Sequence, residues 1–333
     1  MNPLRPQPTR RRALGLLGAV MAGAAGPAFA QASPPNFPTR VVRIIPFGSG
    51  GGPMDSIARI YAEKLKARWN QPVIVEPRPG ASGTIAADAV AKAAPDGYVF
   101  GATIPGPMIV NPMIMETPYD PKRDLQPVTI VGTQPSVLVA ATKLGVSTLA
   151  DLIAVLKKEP GKYNYASIGI GSISHLSMEL IAQQSGTEVV HVPYKASPEA
   201  VKAVTTGEAQ LAAMPPLAVA GPAKAGELRL LAVTTPARWP SLPDVPTFAE
   251  AGLPAVQAEA WMALVAPAKT PQPIVERLYQ EVKAALAEPA TLEQVKKLAF
   301  EPVGNTPAEF AARLAEEEKR WSAVVDKLGM RKK

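Results

Sequence analysis

The sequence contains no cysteine and only two histidines, His175 and His191. A disulfide framework, a thiolate zinc site and a cysteine nucleophile are therefore excluded, and a histidine-rich metal site cannot form. Aromatic residues make up only 5% of the chain, and no apolar run beyond the N-terminal region is long enough to cross a membrane. A chain of 333 residues must then be stabilised by core burial alone, and this length favours two lobes over one.

The charge balance also excludes a class of function. The full chain carries 35 Lys and Arg against 28 Asp and Glu, but residues 1–30 contain four Arg and no acid. Without that segment, 31 basic residues face 28 acidic ones, and no basic stripe is interleaved with aromatic residues. This mild surplus gives no support to nucleic-acid binding.

Residues 1–30 have the pattern of an export signal. Three arginines, Arg10 to Arg12, precede a short apolar stretch, and Ala28-Phe29-Ala30 is a small-x-small cleavage site that would leave Gln31 as the mature N-terminus. The arginines also resemble a twin-arginine signal. The sequence therefore predicts a periplasmic protein, and an ordinary N-terminal helix is the alternative.

Short apolar strands alternate with amphipathic helices along the chain, which predicts an α/β fold with βαβ units and mainly parallel sheets. The region from Pro271 onward is nearly all helical, and Thr306-Pro307-Ala308-Glu309 has the pattern of a capping box at a helix start. Eight strands are predicted beyond the first one: 72–76, 98–103, 128–132, 137–141, 163–167, 189–192, 209–213 and 228–234.

A glycine-rich loop at residues 46–55 follows the first strand, 41–45, and leads into a helix. Its glycines bare the backbone amides, and a helix N-terminus favours anions, so the loop is a candidate carboxylate site. The spacing matches neither a dinucleotide fingerprint nor a phosphate loop. A turn without a ligand is the alternative.

Ligands of open α/β sheets bind beyond the carboxyl ends of strands, and this rule selects three more loops, at 103–107, 167–175 and 212–216. The loop at 167–175 repeats the design of the glycine loop, although Ser172 could serve only as a helix N-cap. His175 is predicted to be structural. His191 lies in a strand that faces either the cleft or the core.

Ordered segments throughout the chain resemble one family. They include Pro46-Phe47 with its glycines, Gln71 to Ala81, Ala91 to Tyr98, Asn164 to Ser167, His191 to Lys195, Leu242 to Thr247 and Pro302 to Pro307. In these segments the chain resembles the extracytoplasmic solute receptors of tripartite tricarboxylate transporters, also called Bug receptors.

The resemblance implies a two-lobed type II periplasmic-binding-protein fold with a ligand cleft between the lobes. It implies a monomeric receptor, not an enzyme, that captures a small organic acid and delivers it to membrane permease subunits. No cofactor or metal is expected. An exported hydrolase or isomerase on a similar scaffold is the alternative, but no G-x-S-x-G motif is present.

The predicted division of the chain follows from the same resemblance. Residues 1–30 are the signal peptide, 31–137 the first part of lobe 1 and 138–258 lobe 2. Residues 259–333 form the crossover and the C-terminal helices that return to lobe 1.

The resemblance also implies a ligand-binding set in which backbone amides hold the carboxylate. With His191 and Met214 added as cleft candidates, the predicted set is Phe47, Gly48, Ser49, Gly50, Gly51, Asp55, Thr103, Ser167, Gly169, Gly171, Ser172, His191 and Met214. Apolar residues around the far end of the ligand predict an acid with one anionic head and an apolar body, such as an aromatic carboxylate. These residues are Ile104, Ile168, Ala213, Met214, Pro215 and Pro216.

Overall fold

The computed structural model describes residues 37–47 and 53–332. The predicted export signal and four predicted site residues, Gly48 to Gly51, lie outside the described residues. Within the described part, no helix combines the length and the apolar character needed to span a membrane.

The regular elements alternate as predicted, with somewhat different bounds. The strands are β1 (Val42–Pro46), β2 (Val73–Val75), β3 (Val99–Thr103), β4 (Leu125–Pro135), β5 (Val137–Ala141), β6 (Asn164–Ser167), β7 (Val190–Pro193), β8 (Leu211–Met214), β9 (Leu228–Val233), β10 (Glu259–Pro267) and β11 (Glu301–Pro302). The helices are α1 (Pro53–Trp69), α2 (Thr84–Ala91), α3 (Asn111–Ile114), α4 (Pro121–Asp124), α5 (Leu149–Lys158), α6 (Ile173–Ser185), α7 (Ser197–Thr206), α8 (Pro216–Lys224), α9 (Gln272–Leu286), α10 (Pro289–Lys297) and α11 (Pro307–Lys327).

These strands form two sheets, each covered by helices, and so build two lobes. The first sheet has the order β11-β4-β10-β3-β1-β2, and the second has the order β7-β6-β8-β5-β9. Only the βαβ units pair in parallel, β1 with β2 and β3, and β6 with β7 and β8. The prediction of mainly parallel sheets agrees with the strand directions except at β5, β10 and β11, which run opposite to the other strands of their sheets.

The chain passes from the first sheet to the second at a single residue, Ser136, between β4 and β5. It returns in the segment between β9 and β10. Strand β10 then pairs with β4 over nine residues, from Glu259 opposite Pro135 to Pro267 opposite Leu125. The first sheet is therefore completed by a strand far along the chain.

The C-terminal helix α11 begins with a capping box and is fixed to the first sheet by a buried ionic cluster. The predicted box is confirmed, since Thr306 Oγ1 accepts the Glu309 amide at 3.2 Å and Glu309 accepts the Thr306 amide at 2.8 Å. Glu317 is 4% exposed and accepts from the indole of Trp261 at 2.9 Å and from Arg313 at 2.7 Å. The buried carboxylate thus has partners on both α11 and β10.

Helix α6 contributes to the cores of both lobes. Leu176 and Leu180 are buried in the core around the first sheet, whereas Met178 and Ile181 are buried against the second sheet. This division follows from the helical period, since residues 176 and 180 share one face and residues 178 and 181 share another. Any relative movement of the lobes must therefore disturb one side of α6.

We expect Leu176→Ala to lower the free energy of unfolding by about 2–5 kcal/mol, because a fully buried leucine leaves a cavity. Leu217→Ala is the matched control: Leu217 is 61% exposed and its truncation should change stability by less than about 0.5 kcal/mol. Urea denaturation of both variants measures the difference. Equal losses in the two variants would show that α6 does not hold the lobes together as described.

Candidate functional site

Two loops of the first lobe meet at Gly83. The position of a Cβ on this glycine would lie 2.8 Å from the Phe47 carbonyl oxygen and 2.8 Å from the Pro107 ring. Its φ of +89° is also unfavourable for any other residue. The end of β1 and the loop after β3, both predicted site elements, are therefore in close contact through this backbone.

The loop after β6, residues 167–175, faces the first lobe across the cleft. A Cβ on Gly171 would come within 2.6 Å of Ile114 Cδ1 and 3.6 Å of Val110 Cγ1. Both residues follow β3 in the first lobe. Predicted site elements of the two lobes are thus brought together, with the carboxyl ends of β3 and β6 on opposite sides of the cleft.

Four backbone amides in the first part of the loop after β6 are already occupied within the loop. The Ile168 amide donates to Ser174 Oγ at 3.0 Å, and the Gly169 amide donates to Ser167 Oγ at 3.1 Å. The Gly171 amide donates to His175 Nδ1 at 3.1 Å, and the Ser172 amide donates to the Gly169 carbonyl at 3.2 Å. In this conformation the amides of Gly169, Gly171 and Ser172 do not point freely at a ligand. The loop is a rigid internal network that shapes the start of α6.

The start of α6 provides the donors that the loop does not. Ser172 is the N-cap, and its hydroxyl accepts the His175 amide at 3.3 Å. The amides of Ile173 and Ser174, in the first turn, have no acceptor among the described residues. A helix N-terminus carries a partial positive charge, so this turn favours an anion.

The two histidines of the chain stack on each other beneath this loop. The ring of His191 lies 4.0 Å from that of His175 and 4.9 Å from that of Tyr165, all nearly parallel. His191 Nε2 is 2.6 Å from Ser167 Oγ, and the Tyr165 hydroxyl donates to Glu179 on α6. His191 therefore contacts the predicted site through Ser167.

Known proteins identify the fold and its family. Residues 57–330 match the family described as the tripartite tricarboxylate transporter family receptor. The chain belongs to this family.

The relatives of this receptor extend over nearly the whole chain. Protein BugT of Bordetella pertussis is 37% identical over 329 residues, covering 97% of this chain and 99% of BugT. An R. palustris protein solved with adipate is 35% identical, with a TM-score of 0.77 and coverage of 88% of this chain and 98% of that one. MatC from Rhodopseudomonas palustris, solved with bound malate, is 30% identical, with a TM-score of 0.73 and coverage of 87% and 100%. The two-lobed periplasmic-binding-protein fold predicted from the sequence is confirmed.

Several predicted residues of the receptor lie in the interior, among them Phe47, Thr103 and Met214. The Phe47 ring is 1% exposed and packs where Gly101 lacks a side chain, and the Phe47 amide donates to the Ala102 carbonyl at 2.8 Å. Thr103 is fully buried at the end of β3. Met214 is also fully buried, within the core of the second lobe. The side chains of Phe47 and Met214 therefore pack in the cores of the two lobes, beneath the surface of the cleft.

Asp55 in the first turn of α1 is 3% exposed and forms a bidentate pair with Arg59, at 2.9 and 3.1 Å. An acidic side chain is favourable at a helix N-terminus, so Asp55 complements the dipole of α1. A ligand carboxylate would be repelled by this anion. Asp55 is thus better suited to stabilising the start of α1 than to touching an acid.

The sequence reasoning did not select the turn at residues 80–83. Gly80, Ala81, Ser82 and Gly83 all have positive φ, with 46° at Ala81 and 53° at Ser82. The side-chain amide of Asn111 donates to the Ser82 carbonyl at 3.0 Å and fixes this turn against the first-lobe loops. The two glycines after Pro79 were the available signal, because they permit left-handed backbone.

Within residues 37–47 and 53–332, no three His, Asp or Glu side chains form a possible metal site. The expectation that the receptor needs no metal stays a prediction.

Burial lowers the pKa of both stacked histidines. For His175, burial and then the neighbouring His191 lower the pKa to about 4, and burial lowers the pKa of His191 as well. Both rings are therefore neutral at neutral pH. In neutral His175, Nδ1 accepts from Gly171, so the proton is on Nε2, which lies 4.0 Å from a Glu179 oxygen.

Because the folded pKa of His175 lies below the unfolded value of about 6.5, its neutral form stabilises the fold fully above that pH. This stability is lost as the pH falls from about 6.5 towards about 4. We expect His175→Asn, which keeps an acceptor for Gly171 but does not titrate, to lose less stability over this interval. Melting temperatures of both proteins across the interval test this, and parallel pH profiles would contradict it.

Proposed function

We propose that this protein is a periplasmic receptor that binds a small aliphatic carboxylate in the cleft between its lobes and delivers it to membrane permease subunits. The observation that carries the proposal is the similarity, over most of both chains, to an R. palustris protein solved with adipate. The relative solved with malate supports the same class of ligand.

The proposed contact with the carboxylate is the first turn of α6. Its amides at Ile173 and Ser174 have no acceptor among the described residues, and Ser172 caps the same turn. No Lys or Arg lies in the loops 46–55, 103–107, 167–175 or 212–216. Neutral donors and a helix dipole would therefore hold the anion, together with the glycine loop at Gly48 to Gly51.

The remaining predicted residues have supporting roles in this proposal. Ser167, Gly169, Gly171 and His191 would shape the turn through their mutual hydrogen bonds. Thr103, at the end of β3, would lie at the base of the cleft on the first lobe. The boundaries predicted for the lobes, at 137/138 and 258/259, belong to the same proposal and are supported by the strand order.

The fold gives little support to the predicted apolar wall. Ala213 and Met214 are fully buried in the core of the second lobe, so they cannot surround the far end of a ligand. Ile104 and Ile168 are partly buried against the two cores. We therefore propose aliphatic dicarboxylates ahead of aromatic acids.

An enzyme is the alternative, and the contact of Ser167 with His191 is the observation in its favour, since a serine beside a histidine can be a nucleophile and its base. Ser167, however, is fully buried and also accepts the Gly169 amide. The family consists of solute-binding receptors. The contact is therefore interpreted as structural, and an acid recovered unchanged after long incubation would agree with this.

We expect adipate or malate to raise the melting temperature of the purified protein, and benzoate to have less effect. At about 100 times the Kd, a ligand should stabilise the native state by roughly 2.7 kcal/mol. A thermal-shift panel with citrate included measures this. Stabilisation by benzoate alone would contradict the proposed ligand class.

In the same panel, Ser172→Ala should weaken acid binding, because it removes the cap that orders the first turn of α6. Thr148→Ala is the matched control, since Thr148 is the N-cap of α5 in the same lobe and accepts the Asp151 amide. Both variants should lose about 1 kcal/mol of stability. Equal affinity of the two variants in calorimetry would rule out the α6 turn as the anion site.

The export signal, residues 1–30, is part of the proposal and predicts cleavage after Ala30. N-terminal sequencing of the protein recovered from the periplasm of its host should begin at Gln31. A soluble form that begins at Met1 and stays in the cytoplasm would overturn the proposed location.

A further inference from the structure

The two connections between the lobes meet at one level of the structure. Ser136 separates Pro135, which pairs with Glu259 in the first sheet, from Val137, which pairs with Val233 in the second. The residues that follow Val233 and precede Glu259 are Thr234 and Ala258. Ser136, Thr234 and Ala258 therefore lie next to one another. Ser136 joins β4 to β5, Thr234 follows the end of β9, and Ala258 precedes the start of β10.

Thr234 joins the other two residues through both its backbone and its side chain. Its amide donates to the Ser136 carbonyl at 3.1 Å, and its hydroxyl accepts the Ser136 amide at 2.9 Å. The same hydroxyl donates to the Ala258 carbonyl at 2.8 Å, and the Thr234 carbonyl accepts the Ala258 amide at 3.3 Å. All three residues are at most 2% exposed.

The hydroxyl takes the place of a backbone acceptor. If β9 continued beside β5, the Thr234 carbonyl would accept the Ser136 amide, but this carbonyl instead faces Ala258. The side chain supplies the missing acceptor and at the same time satisfies the Ala258 carbonyl. Without it, one buried donor and one buried acceptor would lose their partners, which is costly.

This contact also reaches the helix that begins at the proposed anion site. Ser177, on α6, places its hydroxyl 3.4 Å from that of Ser136. Ser177 is fully buried and lies five positions after the cap, Ser172. The connection at Ser136 is thus packed against the same helix whose first turn faces the cleft.

We propose that the Thr234 hydroxyl is a positioning group that sets the angle between the two lobes and thereby the affinity for the acid. A change in this angle must alter the backbone at Ser136 and near Thr234 and Ala258, the points where the chain passes between sheets. A hydroxyl can rotate and keep one donor and one acceptor bond during that change. The effect on affinity rests on the proposed function, whereas the effect on the lobe angle does not.

The test compares Thr234→Val, which keeps the shape but removes the hydroxyl, with Thr234→Ser, which keeps the hydroxyl. The chain has no cysteine, so Lys66→Cys on α1 and Lys157→Cys on α5 allow one spin label to be attached to each lobe. Both lysines are exposed. Distance distributions between the labels, without ligand and with adipate or malate, report the lobe angle directly.

We expect Thr234→Val to shift or broaden the distance distribution and to change the Kd for the acid on the order of tenfold. Thr234→Ser should behave as the wild type. Wild-type distances and affinity in Thr234→Val would overturn the proposal. An equal change in both variants would also overturn it, since the methyl group and not the hydroxyl would then be responsible.

If Thr234→Val does not fold, hydrogen exchange of the wild type decides the question. The amides of Ser136 and Ala258 should exchange more slowly when the acid is bound, and unchanged rates at both would contradict the proposal.

If the wild type binds no acid of the panel, the proposed function fails by itself. The ligand-free label distances of Thr234→Ser and of any folded Thr234→Val then still test the role of the hydroxyl.

Discussion

Helix α6 is the element on which the rest of the structure depends, because it is packed into two cores at once. Leu176 and Leu180 on one face and Met178 and Ile181 on another are all at most 4% exposed. Burial of each such side chain contributes about 1.5–3 kcal/mol, so pulling the helix away from either lobe would be unfavourable. The first turn of this helix faces the cleft, and the proposed anion site is therefore built on a part of the chain that both lobes hold in place.

The positive electrostatic potential at the proposed site comes from the same helix. The loop before it uses its own amides on Ser167, Ser174 and His175, so its shape is fixed before any ligand arrives. Both histidines have lowered pKa values through burial and carry no charge at neutral pH. The positive potential at this edge of the second lobe therefore comes from the helix dipole, which suits a small anion whose charge need not be matched by a cation.

Local patterns in the sequence predicted nine of the eleven strands, the largely helical region from Pro271 and the capping box at Thr306, because each depends on residues close together in the chain. The order of the strands was predicted less well, since the antiparallel entry of β10 beside β4 joins residues that are more than a hundred positions apart. The loops at 103–107 and 167–175 follow β3 and β6 as predicted, and their role as the binding site stays a prediction. The inward direction of the amides of Gly169 and Gly171 depends on partners such as His175, and no spacing rule reveals which way a glycine amide points. Met214 was misread as a cleft residue because the last residue of a buried strand and the first residue of a loop look alike in sequence.

The pairing of β4 with β10 also affects the order in which the chain can fold during synthesis. The second sheet is complete once residues 137–233 have been made, whereas the first sheet needs strands from Val42 to Pro302. Until β10 appears, the eleven residues of β4 lack the neighbour with which they form their longest ladder. An apolar strand with an open edge is prone to pair with other chains. Non-local pairing of this kind slows folding, so β4 can form its longest ladder only after the C-terminal quarter of the chain is available.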